Sequence, residues 1–316
     1  MINKLYQRVT KKCKTINQHN MVLIALENRL TPLELSKLLK EGKLFWRYFY
    51  PVIRVVAKII ESINNDYSDR QRNVRTLTWK KKTSYLFNRS GKIFPETFIR
   101  TRISKHSILF SDSSKSAKDK TLIICFVGRA QRMMMPTPVF LQHFDAKNVD
   151  IVLIRYPKRS GYKFGLEKVG KNYKETLDNL FEILPSARYK NTVAIGTSGG
   201  AAPAVLAALY HNLSSVLAVG INSLEDSRWN KALGMNLDDY ANSIMDISTK
   251  QTKVSLICGI DHPKDIRSSL EWKQFIENIN IIQISDKKEK VGHNALLPLL
   301  KKGEFSEFIN SILIKE

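Results

Sequence analysis

The sequence has little cysteine: Cys13, Cys125 and Cys258 are the three, no two of them close in sequence. An odd, scattered set argues against a disulfide framework or a zinc cluster and fits a reducing compartment. Cys125 and Cys258 lie inside apolar runs, where a small buried hydrophobe is the plain reading. No run of 18 uncharged apolar residues occurs, so a membrane-spanning helix is not supported. Met1–Thr10 carries charges but no apolar segment with a small-residue cleavage site, so no secretory signal is read. The expected localisation is cytoplasmic, with peripheral attachment to a membrane as its variant. Internal repeats and low-complexity tracts are also missing. A P-loop lysine and the glycine spacing of a dinucleotide fingerprint are absent, which removes the commonest phosphate-binding turns.

Acidic residues are scarce in one part of the chain only. The net charge is +22, yet residues 1–120 hold 26 Lys and Arg against 9 Asp and Glu, while the remainder holds 25 against 20. The excess belongs to the N-terminal part. A basic surface suits anionic partners such as phospholipid headgroups, nucleic acid or acidic glycans. Nucleic acid ranks last, because no basic patch has aromatics interleaved through it.

Hydrophobic residues make up 43% of 316, enough for a large core. Residues 1–83 read as a basic helical extension and 84–316 as a second, catalytic domain. Thr31-Pro32-Leu33-Glu34 is a helix start, with a Thr cap, Pro at the first position and Glu three residues after the cap. In Lys43–Glu61 the charged residues Lys43, Arg47, Arg54, Lys58 and Glu61 share a stripe roughly 60° wide at helical spacing. Phe45, Trp46, Phe49, Ile53 and their neighbours form a wide apolar face, with a kink expected at Pro51. That face is expected to pack on the catalytic domain or on its own helical hairpin; the alternative is an interfacial helix at an anionic membrane surface. Asp66–Thr83 reads as a solvated connector or strand edge, and residues 84–110 as short antiparallel strands.

Beyond Lys120 the rhythm changes. Apolar runs at Thr121–Val127, Val149–Ile154, Thr192–Ile195, Val216–Val219, Val254–Cys258 and Ile279–Ile284 alternate with helically spaced segments at Tyr173–Leu184, Ala201–His211 and Ile266–Asn278. Continuous apolar strands alternating with helices predict an α/β fold: a mostly parallel sheet with helices on both faces.

Gly196-Thr197-Ser198-Gly199-Gly200 matches G-x-S-x-G between a strand and the small-residue helix Ala201–Tyr210. A serine in a tight strand-to-helix turn needs neighbours two residues away that are nearly free of side chain, and Gly196 and Gly200 qualify. Ser198 is the expected nucleophile. In that arrangement the acid and then the base follow in the chain. Gly259-Ile260-Asp261-His262-Pro263-Lys264-Asp265 follows the strand Val254–Cys258. Asp261, nearer the strand end, is the first candidate for the acid. Asp265 is the second, unless it only caps a helix starting at Ile266. His293 lies after the last strand and a charged loop, just before the last helical segment, and is the expected base; His262 reads as structural or on the rim.

These residues resemble the α/β-hydrolase superfamily over about 121–316. The resemblance rests on the Ser198 elbow, the Asp261/Asp265 loop and Gly292-His293-Asn294. It implies an eight-stranded, mostly parallel sheet, a Ser-His-Asp triad, and no cofactor or metal. An oxyanion hole then needs the Gly199 N–H and a second donor from the loop Gly128–Arg132, where Gly128 supplies turn freedom and Arg129 or Ala130 the N–H. The implied function is a serine hydrolase or acyltransferase that acts on a carboxylic ester or related acyl group, the substrate being a small molecule, glycan or lipid. A catalytically silent binding or assembly protein of the same fold, at an anionic membrane surface, is the alternative. Residues 225–250, with Trp229, Met235 and Tyr240, read either as a lid or as a surface connection.

Overall fold

The structure is a computed structural model that describes residues 15–41, 78–79, 81–88, 98–156, 162, 165–166, 169–184, 188–223, 252–276 and 278–314. The whole of Lys43–Glu61, with its apolar stripe, and the whole segment 225–250 lie outside the described residues. The described residues fall into two compact units, one within Met1–Thr97 plus Met135–His143, the other within Phe98–Met134 plus Phe144–Glu316.

The first unit is helical. Helix α1 is Ile16–Glu27 and α2 is Pro32–Glu41. The start of α2 closes as its sequence requires: the Thr31 N–H donates to Glu34 Oε2 at 2.8 Å and the Glu34 N–H to Thr31 Oγ1 at 3.3 Å. Residues 81–88 are also helical, which corrects the expectation of a connector and then strands there. Leu86 and Phe87 are both buried, and two adjacent buried side chains suit a helix better than the alternation of a half-buried strand. A short helix, α3 (Thr137–Leu141), completes this unit with every residue buried. Buried polar groups tie the pieces together. Thr137 Oγ1 donates to Asn28 Oδ1 at 2.6 Å, Gln142 Nε2 to the Phe87 carbonyl at 3.3 Å, and the Trp79 indole to the Glu27 carboxylate.

The second unit is built on an eight-stranded sheet in the order β1-β2-β4-β3-β5-β6-β7-β8. Its strands are β1 (Ile99–Arg102), β2 (Ser107–Ser111), β3 (Thr121–Phe126), β4 (Val149–Ile154), β5 (Asn191–Thr197), β6 (Ser215–Val219), β7 (Lys253–Gly259) and β8 (Ile279–Ile284). β1 and β2 run antiparallel, and β3 to β8 are parallel. β3 and β4 are buried at every position, as expected for strands covered on both faces. Leu122, Ile124, Val152, Ala194, Val216 and Leu256 share one core with α4 (Tyr173–Ile183), α5 (Ala201–Tyr210) and the Trp272 side of α6 (Pro263–Phe275). The alternate residues Ile123, Cys125, Ile151, Val193, Ile195 and Leu217 are equally buried on the opposite face. There α8 (Phe305–Leu313) contacts β6, next to α7 (Leu296–Lys302).

One charged residue inside a buried strand needs an explanation, since an unpaired buried charge is costly. Asp150 in β4 accepts from Lys120 Nζ at 3.0 Å and from the Tyr189 hydroxyl at 2.8 Å. This cluster fastens the starting ends of β3, β4 and β5, the end of the sheet opposite to the serine turn. No helix among the described residues is long and apolar enough to cross a membrane.

Candidate active site

β5 ends at Thr197, and the chain turns through a single 3-10 turn, Ser198–Gly200, into α5. Ser198 holds φ at +53°, a left-handed conformation that costs a non-glycine residue about 1–3 kcal/mol and persists only where the surroundings enforce it. The neighbours show why they are glycines. A Cβ on Gly196 would stand 2.2 Å from the Gly200 carbonyl oxygen and 2.6 Å from Ala204 Cβ; one on Gly200 would stand 2.1 Å from the Phe126 carbonyl oxygen. The turn is thus wedged between β3 and α5, with its side chain at the carboxyl end of the sheet.

Two loops at the same end meet it. His293 Nε2 is 2.9 Å from Ser198 Oγ, and His293 Nδ1 is 2.7 Å from Asp265 Oδ2. Asp265, and not Asp261, is the carboxylate beside the imidazole. Asp265 is 3% exposed and sits in the first turn of α6. That helix begins at Pro263 with His262 as its cap, three residues before the expected start at Ile266. The signal was present, because proline favours the first position of a helix. Asp261 is exposed and engaged elsewhere. Its Oδ2 accepts the Val291 N–H at 2.8 Å, and its own N–H donates to the Val291 carbonyl at 3.1 Å. It therefore clamps the loop that carries His293. His262, read as structural or on the rim, caps α6, and its Nδ1 lies 3.0 Å from Asp265 Oδ1.

Sequence reasoning missed two glycines in this arrangement. Gly220, just after β6, has φ +62°, and a Cβ there would lie 2.6 Å from His293 Cε1 and 3.2 Å from Asp265 Oδ2. A Cβ on Gly259 would lie 2.1 Å from the Val291 carbonyl oxygen. Each follows an apolar strand run or ends one, which marks a close backbone approach but does not say to what.

The loop after β3 supplies the other wall. Gly128 is needed for close approach and not for turn freedom: its φ is not positive, but a Cβ would lie 2.8 Å from the Thr197 carbonyl oxygen and 3.1 Å from Ser198 Cβ. Its N–H is engaged by the Arg132 carbonyl at 3.3 Å. Arg129 is the next residue with an N–H to offer, and that nitrogen is 3.9 Å from a Cβ built on Gly199. Gly199 opens the turn, where a helical N–H has no acceptor of its own. The left-handed residues of this loop are Gln131 and Met134, each at φ +59°. Asn294 Nδ2 donates to the Met134 carbonyl at 3.2 Å and so ties this loop to the His293 loop. The side chain of Arg129 is exposed and that of Arg132 half-buried.

An eight-stranded, mostly parallel sheet carries a serine on a left-handed strand-to-helix turn after β5, with His and Asp brought to it from the loops after β8 and β7. The fold is the α/β-hydrolase fold. No protein-family model matches the sequence, and no curated protein matches it. Solved structures similar to this α/β-hydrolase fold are distant. A predicted CIB-like hydrolase from Thermoplasma acidophilum is 18% identical, with 68% of this chain and 95% of that chain covered at a TM-score of 0.44. The capsule O-acetyltransferase of Neisseria meningitidis serogroup A is 15% identical, with 69% and 95% covered and a TM-score of 0.46. An alpha/beta superfamily hydrolase from Oenococcus oeni is 13% identical, with 69% and 100% covered and a TM-score of 0.44.

His262, Asp265 and His293 also present three possible ligand atoms within 4.8 Å of one another. In this α/β-hydrolase arrangement both Asp265 oxygens face an imidazole nitrogen, and the second His293 nitrogen faces Ser198. A cation would have to break that relay to enter.

Proposed function

We propose that the chain is a serine hydrolase or acyltransferase that transfers the acyl group of a carboxylic ester, or a related acyl donor, through Ser198. The observation that carries this reading is the unbroken line Ser198 Oγ, His293, Asp265, with separations of 2.9 and 2.7 Å. Three segments far apart in the chain converge on it, and one of them carries backbone strain.

The roles follow from position. His293 Nε2 takes the Ser198 proton as Oγ bonds to the carbonyl carbon, and the carbonyl π pair moves onto oxygen. Asp265 accepts from Nδ1–H, keeps the tautomer that leaves Nε2 free, and stabilises the imidazolium. The N–H groups of Gly199 and Arg129 face the developing oxyanion. Collapse of the tetrahedral intermediate expels the alcohol, which takes the proton back from His293, and leaves an acyl-serine for water or a second alcohol. A small molecule, glycan or lipid can serve as the acyl carrier.

The test is covalent labelling by a fluorophosphonate probe, read by mass spectrometry, together with turnover of p-nitrophenyl acetate. The parent protein is expected to label on Ser198, and Ser198→Ala to fold normally but lose both label and turnover by several powers of ten. Label on another residue, or turnover by Ser198→Ala within about tenfold of the parent, removes Ser198 from the mechanism.

A further inference from the structure

The pattern G-x-S-x-G leaves the residue after the serine open, yet this chain has a glycine there. A Cβ on Gly199 would stand 2.9 Å from the Tyr156 hydroxyl oxygen and 3.9 Å from the Arg129 nitrogen. Tyr156 lies just past the end of β4, at the carboxyl end of the sheet where ligands of open α/β sheets bind. Its ring is held edge-on by Tyr162 at a centroid separation of 4.6 Å. Tyr162 is in turn anchored, its hydroxyl donating to the Ile154 carbonyl at 2.7 Å. The Tyr156 side chain is therefore positioned by packing, and the residue is only 3% exposed. Its hydroxyl has no hydrogen-bond partner among the described residues. Tyr156 Oη is not one of the fully buried atoms that lack a partner, so the tip of the phenol reaches solvent and its donor is open to a ligand.

We infer that the Tyr156 hydroxyl is a third donor to the oxyanion, beside the N–H groups of Gly199 and Arg129. The inference rests on the Ser198 acyl-transfer reading and adds a catalytic residue to it. The hydroxyl keeps its proton throughout and lends a hydrogen bond only; the Ser198 proton still goes to His293. Burial raises the Tyr156 phenol above its ordinary range, against the opposing pull of the Arg129 charge, so the group stays protonated at working pH. A donor that is neutral and fixed strengthens most as charge builds on the substrate oxygen, which is what transition-state stabilisation requires. The absent side chain at Gly199 is what opens the path from that hydroxyl to the oxyanion.

Tyr156→Phe keeps the ring and removes the donor. The rate of Ser198 labelling by the fluorophosphonate probe is expected to fall on the order of 10²-fold. With p-nitrophenyl acetate, kcat should fall in parallel while KM stays within about twofold. The melting temperature should hold, since the hydroxyl bonds no described residue. A labelling rate within about tenfold of the parent overturns the inference, as does a melting temperature lowered by more than about 5 °C, which marks a structural hydroxyl. Failure of the parent protein to label at Ser198 instead overturns the underlying serine reading, so the two failures are told apart by the parent alone.

Discussion

Two carboxylates four residues apart stand at the end of β7, and their surroundings give them different work. Asp265 is buried between two imidazoles, 2.7 Å from His293 Nδ1 and 3.0 Å from His262 Nδ1. Asp261 is exposed and accepts one backbone N–H. Asp265→Asn should therefore lower kcat on p-nitrophenyl acetate by about 10³–10⁴-fold, because the amide favours the wrong imidazole tautomer. Asp261→Asn keeps an oxygen that can accept from Val291 and should cost less than about tenfold. Steady-state kinetics of the two variants, with circular dichroism to confirm folding, decide the matter. A larger loss at Asp261 would assign the triad acid to the residue nearer the strand end.

At the scale of elements, the proposed site depends on how closely three loop ends approach one another. β6, β7 and β8 lie side by side, so the residues that directly follow them come together at one end of the sheet. At Gly220 the backbone runs beneath the His293–Asp265 pair. Gly220→Ala would place a methyl 2.9 Å from His293 Nδ1 and force an L side chain to φ +62°. The strain is about 1–2 kcal/mol, enough to lower the melting temperature by a few degrees in a domain of this size. The displaced imidazole should cost activity on the order of 10²-fold, since small misplacements of a catalytic group carry penalties of that size. Unchanged fluorophosphonate labelling of Gly220→Ala would show that the loop has room to give. Gly259 and Asp261 secure the same loop through Val291, one by close approach and one by hydrogen bonds.

For the whole molecule, buried histidines set an acid limit. Burial pushes His143 and His211 from their usual 6.5 down to about 4. A histidine with a lowered folded pKa is neutral in both states above pH 6.5, so stability is complete there. As pH falls from about 6.5 to about 4, the unfolded chain takes up a proton that the fold refuses, and stability is lost. For the fully buried His143 the loss approaches about 3 kcal/mol; for His211, which is partly accessible, it is smaller. Melting temperature followed from pH 7 to 4.5 should drop steadily through this window. His211 is stacked on Phe181 at 3.6 Å, so His211→Phe retains an aromatic stack while removing the proton site, and should shallow the decline. A melting temperature level with pH, or an unaltered slope in His211→Phe, would refute this account.

Much of this molecule was legible in the chain. The apolar runs of β3 to β7 show burial on two sides, a property of each segment's own residues, and the capping box at Thr31 and Glu34 is written in four consecutive positions. Ser198 and His293 could be named because a glycine-flanked turn and a loop between the last strand and the last helices are local patterns. The choice between Asp261 and Asp265 was local only in part. It depends on Val291, thirty residues away, which occupies Asp261, and on Pro263, which starts α6 early and turns Asp265 inward. The helix at residues 81–88 and the glycines at 199, 220 and 259 are likewise explained only by what lies across the gap: a buried pair of side chains, the Tyr156 hydroxyl, the imidazole, a backbone carbonyl. Periodicity and capping are free-energy preferences of neighbouring residues and survive in the sequence. The partner of a hydrogen bond, and the atom a missing Cβ would strike, are settled by tertiary packing between segments that the chain itself holds far apart.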